Sequence, residues 1–487
     1  MKSITIAILT TIFLLASTFI SCSNKKEEAL VEKSFVSISK ENPRYFEFEN
    51  KTWVPVMINF IMPNGEPEQV FQTVERYFKN FSANGGNAVR IWISSPFLEI
   101  EDKKQGQYNP EKFKRIDTVI SLAKKYGIKI KFTLQHIRTI SPKEAGNALW
   151  SNSEALCITQ GGSFKNINEY VDTPQGRIVY MNRIKALAEK YKDNEQIFGW
   201  ELWNEMDALG SSDWYSFSTE ILPAVKNLFP NHLVSQTLGS LHSEDAEQRY
   251  DKMFILEVNE YINVHRYLDP GTDWEQYDLV RQPADRIAST AVSFAYSKVD
   301  NLPILMNEIG AVEANHAGPS KLYPKDTLGI LLHDMVFAPY FNGAAGCGAM
   351  WHWNDYIYNN NLWWHYQRFN EAVSSFDPAA EGFEPFYTEK DHLRVYGLRG
   401  KHHTLIWCRD GRNNWQTELI EGIAPEFCEN FSLKLSDFNA PQIQSVKTYD
   451  PWTATTTELS VVNGQFTFPN FSRSIVVVLS HDSRKTR

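Results

Sequence analysis

At 487 residues the chain is too long for one ordinary domain, and its 43% hydrophobic content supplies a large core, so two folded units are expected. A formal net charge of −9 without any basic stripe excludes nucleic acid as a partner, because phosphate contacts need clustered Lys and Arg. The 14 Trp and 21 Tyr exceed what a core alone uses; flat rings suit the apolar face of a sugar as well as the filling of a barrel.

Residues 1–22 read as an export signal: Met1-Lys2, a mostly apolar run from Ile4 to Ile20, then Ser21-Cys22. The run contains Thr and Ser and ends on a small residue, which favours a cleaved signal over a membrane span. Phe19-Ile20-Ser21-Cys22 resembles a bacterial lipoprotein cleavage box, with Phe where Leu is usual. The resemblance implies lipidation of Cys22 and an exported protein anchored to the outer membrane, on its periplasmic side or at the cell surface. The alternative is an ordinary secreted protein. Residues 23–42, with Lys25-Lys26-Glu27-Glu28 and scattered Ser, read as a solvated tether. Cys157, Cys347, Cys408 and Cys428 fit no zinc spacing; Cys408 and Cys428 either bridge or remain buried thiols.

From Trp53 the chain alternates strands and helices. Residues 53–58 read as a first strand, and Val70, Phe71, Val74, Tyr77, Phe78 and Phe81 recur at helical spacing before Gly85-Gly86. A second strand at 88–93 is followed by a helix marked by Phe113, Ile116, Val119, Ile120 and Ala123, then a third strand at 128–134. Thr173-Pro174 is an N-cap and first-turn pair for a helix carrying Ile178, Ile184 and Leu187, which leads into a fourth strand ending at Glu205. Strands at 233–236, 262–265, 302–308 and 343–351, with helical stretches at 283–298 and 327–340, bring the count to eight strands and seven connections. That is the pattern of a closed (β/α)8 TIM barrel over residues 43–383. Right-handed crossovers then point every strand the same way, so all strand C-termini share one rim. Beyond residue 384, short runs at 393–398, 404–408, 431–435 and 474–479, with turn residues at Asp410-Gly411 and Asn463-Gly464, read as a small all-β sandwich over 384–487.

Two carboxylates fall on the expected rim: Glu205, closing Trp200-Glu201-Leu202-Trp203-Asn204-Glu205, and Glu308, closing Ile304-Leu305-Met306-Asn307-Glu308. Cleaving a glycosidic bond takes one carboxylic acid to protonate the leaving oxygen and a second carboxylate to attack or steady an oxocarbenium-like centre, the two roughly 5 Å apart in a retaining enzyme. The acid has to stay protonated and the nucleophile ionised. A cleft that desolvates Glu205 and surrounds Glu308 with Arg90 and Tyr267 is expected to push the two pKa values apart in that sense. Arg90 lies inside the second strand, where it is costly unless paired; it either holds the nucleophile or belongs to a structural ion pair. Asn204 either bonds the sugar 2-hydroxyl or caps the strand end. His265 and Tyr267 alternate onto one side of the sixth strand, and His136 follows the third. Trp351 and Trp353 compete for the sugar platform, Trp150, Trp274, Trp363 and Trp364 fall on rim loops, and Glu201 reads as structural. The 12 His show no pair at ligand spacing on a predicted helix, so no metal site is expected.

These residues together resemble the clan of retaining (β/α)8 glycoside hydrolases, most closely glycoside hydrolase family 5, the mannanase and cellulase group, over residues 43 to about 380. The resemblance implies Glu205 as acid/base and Glu308 as nucleophile, with Arg90, Asn204, His265, Tyr267 and Trp351 as the supporting shell. It implies hydrolysis of a β-linked polysaccharide, β-mannan or β-glucan, by a monomer that needs no cofactor and meets the membrane only through its lipid anchor. Met206 stands where many members carry Pro, which leaves the sugar open. An exo-acting β-glycosidase or a β-1,3-glucanase of the same clan would carry the same carboxylates. A surface glycan-binding protein that kept the barrel without catalysis is the alternative of another class.

Overall fold

The computed structural model describes residues 33–210, 212–272, 278–438 and 443–481, so Cys22 with the export signal, residues 23–32 of the expected tether, and Trp274 lie outside the described residues. The end of the expected tether is structured. Ser37–Ile38 (β1), Phe46–Phe48 (β2) and Lys51–Trp53 (β3) form an antiparallel sheet, so Trp53 belongs here and not to the first parallel strand. Phe46 of this sheet and the flanking Val36 and Tyr45 share a buried apolar cluster with Met57, Ala88, Leu233 and Leu305, residues at the starts of the parallel strands. The sheet therefore floors the end of the strand bundle away from the expected rim.

Met57–Asn59 (β4), Ala88–Trp92 (β5), Lys129–Thr133 (β6), Ile197–Glu201 (β7) and Leu233–Ser235 (β8) form a parallel ladder in chain order. Ile262–Leu268 (β9) pairs in parallel with Ile304–Ala311 (β10). The eighth expected strand shrinks to a bridge: Met350 alone pairs with Ile309 on one side and Ile58 on the other, joining β10 to β4. The glycines of this stretch explain the loss. A Cβ at Gly346 or Gly348 would meet the carbonyl oxygen of Pro55 or Met335 at 2.1 and 2.0 Å, so close backbone approach has displaced regular pairing.

Helices Pro67–Ala83, Pro110–Lys125, Pro174–Tyr191, Ala284–Lys298 and Ile330–Tyr340 lie where the periodicity puts them. Thr173 Oγ1 accepts from the Gly176 amide at 3.1 Å, as an N-cap does. Two further helices, Trp214–Leu228 and Glu244–Phe254, follow β7 and β8.

Among the described residues ten strands follow: Glu384–Lys390 (β11), Leu393–Arg399 (β12), His403–Asp410 (β13), Phe427–Cys428 (β14), Ser432–Lys434 (β15), Ile443–Asp450 (β16), Thr455–Leu459 (β17), Gln465–Thr467 (β18), Phe471–Ser472 (β19) and Ser474–His481 (β20). Six form an antiparallel sheet in the order β11-β12-β13-β20-β16-β17, and β14/β19 and β15/β18 are two-stranded ribbons. On one face Val395, Ile406, Cys408, Ile475 and Val477 pack with Leu433, Phe466 and Phe471 of the ribbons. The alternate residues Tyr396, Leu405, Trp407 and Val476 join the core of the parallel strands and their helices. Both faces are covered, which is why the Ile475-to-Leu479 run is continuously apolar instead of alternating. Cys408 and Cys428 are free buried thiols.

Buried charges cross between this sheet and the helices. Arg409 donates to both oxygens of Asp334 at 2.6 and 3.1 Å, and Arg394 to both oxygens of Asp285 at 2.6 and 2.9 Å. Breaking such a pair leaves one charge uncompensated. Burial already pushes Asp334 up to about 6 against the pull of Arg409, so the orphaned acid escapes by taking a proton. Arg409→Ala is accordingly expected to destabilise the fold by about 3 kcal/mol, the low end for a broken buried pair. Urea unfolding of wild type and variant measures it; an unchanged midpoint contradicts the coupling of sheet and helices.

Candidate active site

Arg90 sits at the inward-facing centre of β5 and is fully buried. Its Nε and Nη2 grip Glu201 at 2.9 and 2.6 Å, Nη2 also reaches Asn204 Oδ1 at 2.7 Å, and Nη1 donates to Asn59 at 2.9 Å and Glu308 at 2.7 Å. Both readings of Arg90 therefore hold at once: it is a structural ion pair with Glu201 and a donor to Glu308. Glu201 points into the barrel beside it and also accepts from Lys131 Nζ at 2.9 Å and Thr237 Oγ1 at 2.8 Å.

Glu308 does not end its strand. β10 runs on to Ala311, and its register with β9 shifts between Met306 and Glu308. This bulge opposes Asn307 and Glu308 to a single position on the partner, so both side chains face inward where a regular strand would turn one out. Tyr267 Oη donates to Glu308 Oε1 at 2.6 Å, opposite Arg90 on Oε2. Glu205 lies four residues beyond β7, in a turn, with φ 49 and ψ 56. Left-handed backbone costs a non-glycine residue roughly 1–2 kcal/mol. Here it is held by the Glu205 amide donating to Thr237 Oγ1 at 3.1 Å and by Arg138 donating to the Asn204 carbonyl at 2.7 Å. The Glu205 carboxylate meets His265 Nδ1 at 3.0 Å and Arg138 Nη2 at 3.4 Å. His265 Nδ1 and one oxygen each of Glu205 and Glu308 lie within 4.8 Å of one another.

The electrostatics reverse one expectation. Burial pushes Glu205 up, but the hydrogen bond from His265, with the charge of Arg138 behind it, outweighs it and holds Glu205 below the ordinary carboxylate value. Burial is also the largest effect on Glu308, and with the charge of Glu205 it exceeds the lowering by His265, Arg90 and Tyr267, so Glu308 lies above the ordinary value. In the free protein the two groups are thus pushed apart in the order opposite to that expected from sequence. The neighbours are the physical reason: His265 donates to Glu205, while Glu308 feels the charge of Glu205 on top of its burial. The same trio is a poor cation site, because the Arg90 guanidinium already occupies the charged position beside Glu308. In the C-terminal part His392, Asp410 and Cys428 also converge, and there Arg412 already donates to Asp410 at 2.8 Å.

The aromatic residues separate cleanly. His136 is buried, bonded to Ser94 Oγ at 2.6 Å, and its ring stacks on Trp92 at 4.3 Å and lies parallel to Trp150 at 6.3 Å. Burial lowers it to about 3, so it is neutral. Trp351 is half-buried with its ring 4.9 Å from Trp92, which places it in the same aromatic wall. Trp353 is not in that wall: it is packed in the core between Phe60 and Tyr77. Trp363 is also core, against Phe81 and Tyr77, and Trp364 meets Trp452 of the C-terminal sheet region; neither lines the rim. Trp150 is 55% exposed and does.

Sequence reasoning missed Arg138, Lys131, Asn59 and Trp92. The signal was present for three. Lys131 is a charge inside a strand like Arg90, Trp92 is two residues beyond Arg90, and Arg138 two beyond His136. Asn59 gave none.

A family model described as Cellulase (glycosyl hydrolase family 5) matches residues 53–333. The chain is 27% identical over 222 residues to mannan endo-1,4-beta-mannosidase F of Aspergillus clavatus, covering 43% of this chain and 47% of that protein. It is 25% identical over 365 residues to mannan endo-1,4-beta-mannosidase 4 of Oryza sativa subsp. japonica, covering 69% and 74%. The chain spans about half the length of the first curated relatives it matches. Among solved structures it is similar to a glycoside hydrolase at TM-score 0.57 and 13% identity, over 93% of this chain and 98% of that one. A glycoside hydrolase family 5 protein from Bacteroides vulgatus gives 0.56 and 14%, over 93% and 94%. At such identity the likeness carries the fold alone, and it implies that the parallel strands closed through Met350 are a (β/α)8 barrel. With more than half of its length matched by the family model, the chain belongs to glycosyl hydrolase family 5.

Proposed function

We propose that the chain is a retaining glycoside hydrolase that cleaves a β-linked polysaccharide, with Glu308 as nucleophile and Glu205 as acid/base. One observation carries the reading: oxygens of the two carboxylates within 4.8 Å of each other, a separation that suits double displacement and leaves no room for the water an inverting enzyme places between them. Glu308, fixed on both oxygens by Arg90 and Tyr267, is suited to attack; Glu205, more exposed and outside its strand, is suited to meet a departing oxygen. β-Mannan ranks before β-glucan because the curated relatives carry mannan endo-1,4-beta-mannosidase names.

Catalysis needs Glu205 protonated and Glu308 ionised, the reverse of the order in which burial and neighbours push the two in the free protein. A sugar seated over Glu308 favours the anion there, since positive charge develops at the anomeric carbon, while the glycosidic oxygen accepts from Glu205. His265 Nδ1, 3.0 Å from Glu205 and 3.6 Å from Glu308, touches both carboxylates, so the exchange stays inside one cluster.

Glu205→Ala and Glu308→Ala should each lower turnover of β-mannan by at least roughly 10²–10⁴-fold while leaving the fold intact. An aryl β-mannoside with a good leaving group, supplied with azide, then assigns the roles. Glu205→Ala should yield a β-configured glycosyl azide and Glu308→Ala should not; an α-configured product from Glu205→Ala exchanges the two roles, and full activity in either variant rejects the reading.

The acid limb of the pH profile follows from Glu308. It has to be ionised to attack, and a raised value means activity is lost, as pH falls, above the ordinary carboxylate range. Glu205→Gln removes a charge that raises Glu308, so the acid limb for glycosylation by the activated mannoside should move to lower pH; an unmoved limb contradicts the coupling.

Export and lipid anchoring at Cys22 belong to the same proposal, since a polysaccharide substrate lies outside the cytoplasm. Cys22→Ser should release the protein from the membrane fraction of expressing bacteria into the soluble fraction; equal membrane recovery of both forms removes the anchor from the reading.

A further inference from the structure

Lys131, in the middle of β6, is fully buried. Burial lowers it to about 7 against the pull of Glu201, but three oxygens surround Nζ, which suits an ammonium with three N–H donors and no acceptor: Glu201 Oε2 at 2.9 Å, Asn263 Oδ1 at 2.6 Å and Asn307 Oδ1 at 2.7 Å. The Asn307 contact fixes more than itself. A flipped amide would set its NH₂ against the ammonium, donor to donor at 2.7 Å, so Oδ1 faces Lys131 and Nδ2 faces His265 Nε2, 2.8 Å away. An amide nitrogen only donates, hence Nε2 is bare and the ring proton lies on Nδ1. From there it is donated to Glu205 Oε1 at 3.0 Å. The bulge in β10 makes this chain of bonds possible, because it turns Asn307 inward beside Glu308.

We infer that Lys131 and Asn307 are positioning residues that set the proton of His265 on Nδ1 and thereby commit Glu205 Oε1 as an acceptor. The acid proton of Glu205 then resides on Oε2, the oxygen His265 leaves free, and is delivered from the side of Oε2 turned away from the Arg138 donor. The consequence for catalysis rests on reading Glu205 as the acid/base; the tautomer does not.

The test uses the full chain labelled with ¹⁵N-histidine, with His265→Gln to assign the resonances. At neutral pH His265 should show a protonated Nδ1 and a bare Nε2. Asn307→Leu, which keeps Lys131 paired with Glu201 and Asn263, removes the donor to Nε2, and a protonated Nε2 should appear. Asn307→Asp, with a carboxylate facing Nε2, should give the doubly protonated ring. On the aryl β-mannoside, Asn307→Leu should lower kcat on the order of 10–10²-fold, a share of what general acid–base catalysis supplies, with KM within about twofold. Its basic limb should move to higher pH, because a hydrogen bond that holds Glu205 down is lost. Lys131→Met should release the amide in the same way; should that variant not fold, the two Asn307 variants decide. A wild-type proton on Nε2, or nitrogen shifts and pH profile unmoved in Asn307→Leu, overturns the inference. The nitrogen shifts are read without turnover, so a chain that cleaves no β-mannoside fails the hydrolase reading and leaves this one standing or falling by itself.

Discussion

The burial of Arg90 constrains everything around it. A guanidinium taken out of water carries a penalty of several kcal/mol unless its hydrogen bonds are completed. Arg90 completes all five, on Glu201, Asn204, Asn59 and Glu308. Those partners come from β4, β7 with the turn behind it, and β10, so one side chain ties distant parts of the barrel to a single geometry. Asn59 carries the tie further: its Nδ2 donates to the carbonyls of Asn307 and Ala349 at 2.9 and 3.0 Å, across the seam where regular pairing has dwindled to the Met350 bridge. Closure of the barrel and placement of Glu308 are the same set of bonds.

The interior is layered by polarity. At the floor, Met57, Ala88, Phe198, Leu233, Tyr261 and Leu305 are apolar and covered by the N-terminal sheet. Above them Arg90, Lys131 and Glu201 form a charged layer in which two cations share one carboxylate, Glu201, held far into its ionised form. Burial lowers Lys131 to about 7, and Arg90 reaches out of the layer to Glu308 on the rim where Glu205 also stands. Arg90 favours the anion of Glu308 and burial resists it, so Glu308 cannot be understood without the layer below it.

What the sequence made legible is the alternation of short apolar runs with helical stretches. Seven strands are wholly buried runs, the first three helices repeat apolar residues at spacing near 3.6, and inward parity found Arg90, His265 and Tyr267. Helix Trp214–Leu228 was hidden by Pro223 in its interior, and Glu244–Phe254 by a charged first turn with only four buried residues. Trp351 and Trp353 have the same parity, and what divides them is a six-residue π-helix, Trp353–Tyr358, that turns the second indole into the core. The β-strand period gives no notice of that turn.

The site itself occupies departures from regularity. Glu308 follows a bulge and Glu205 sits in a left-handed turn, and each departure is what aims the side chain. In an unbroken β10, Asn307 and Glu308 would face opposite sides, and either the link to Lys131 and His265 or the link to Arg90 and Tyr267 would be lost. In an extended chain past β7, Glu205 would run on along the strand axis, away from His265. A pattern reader sees both carboxylates as ends of regular strands and locates them to the correct rim. The few ångströms that make them a pair come from the irregularities, which are held in place only because Thr237, Arg138, Asn59 and Lys131 satisfy the backbone and amide groups those irregularities expose.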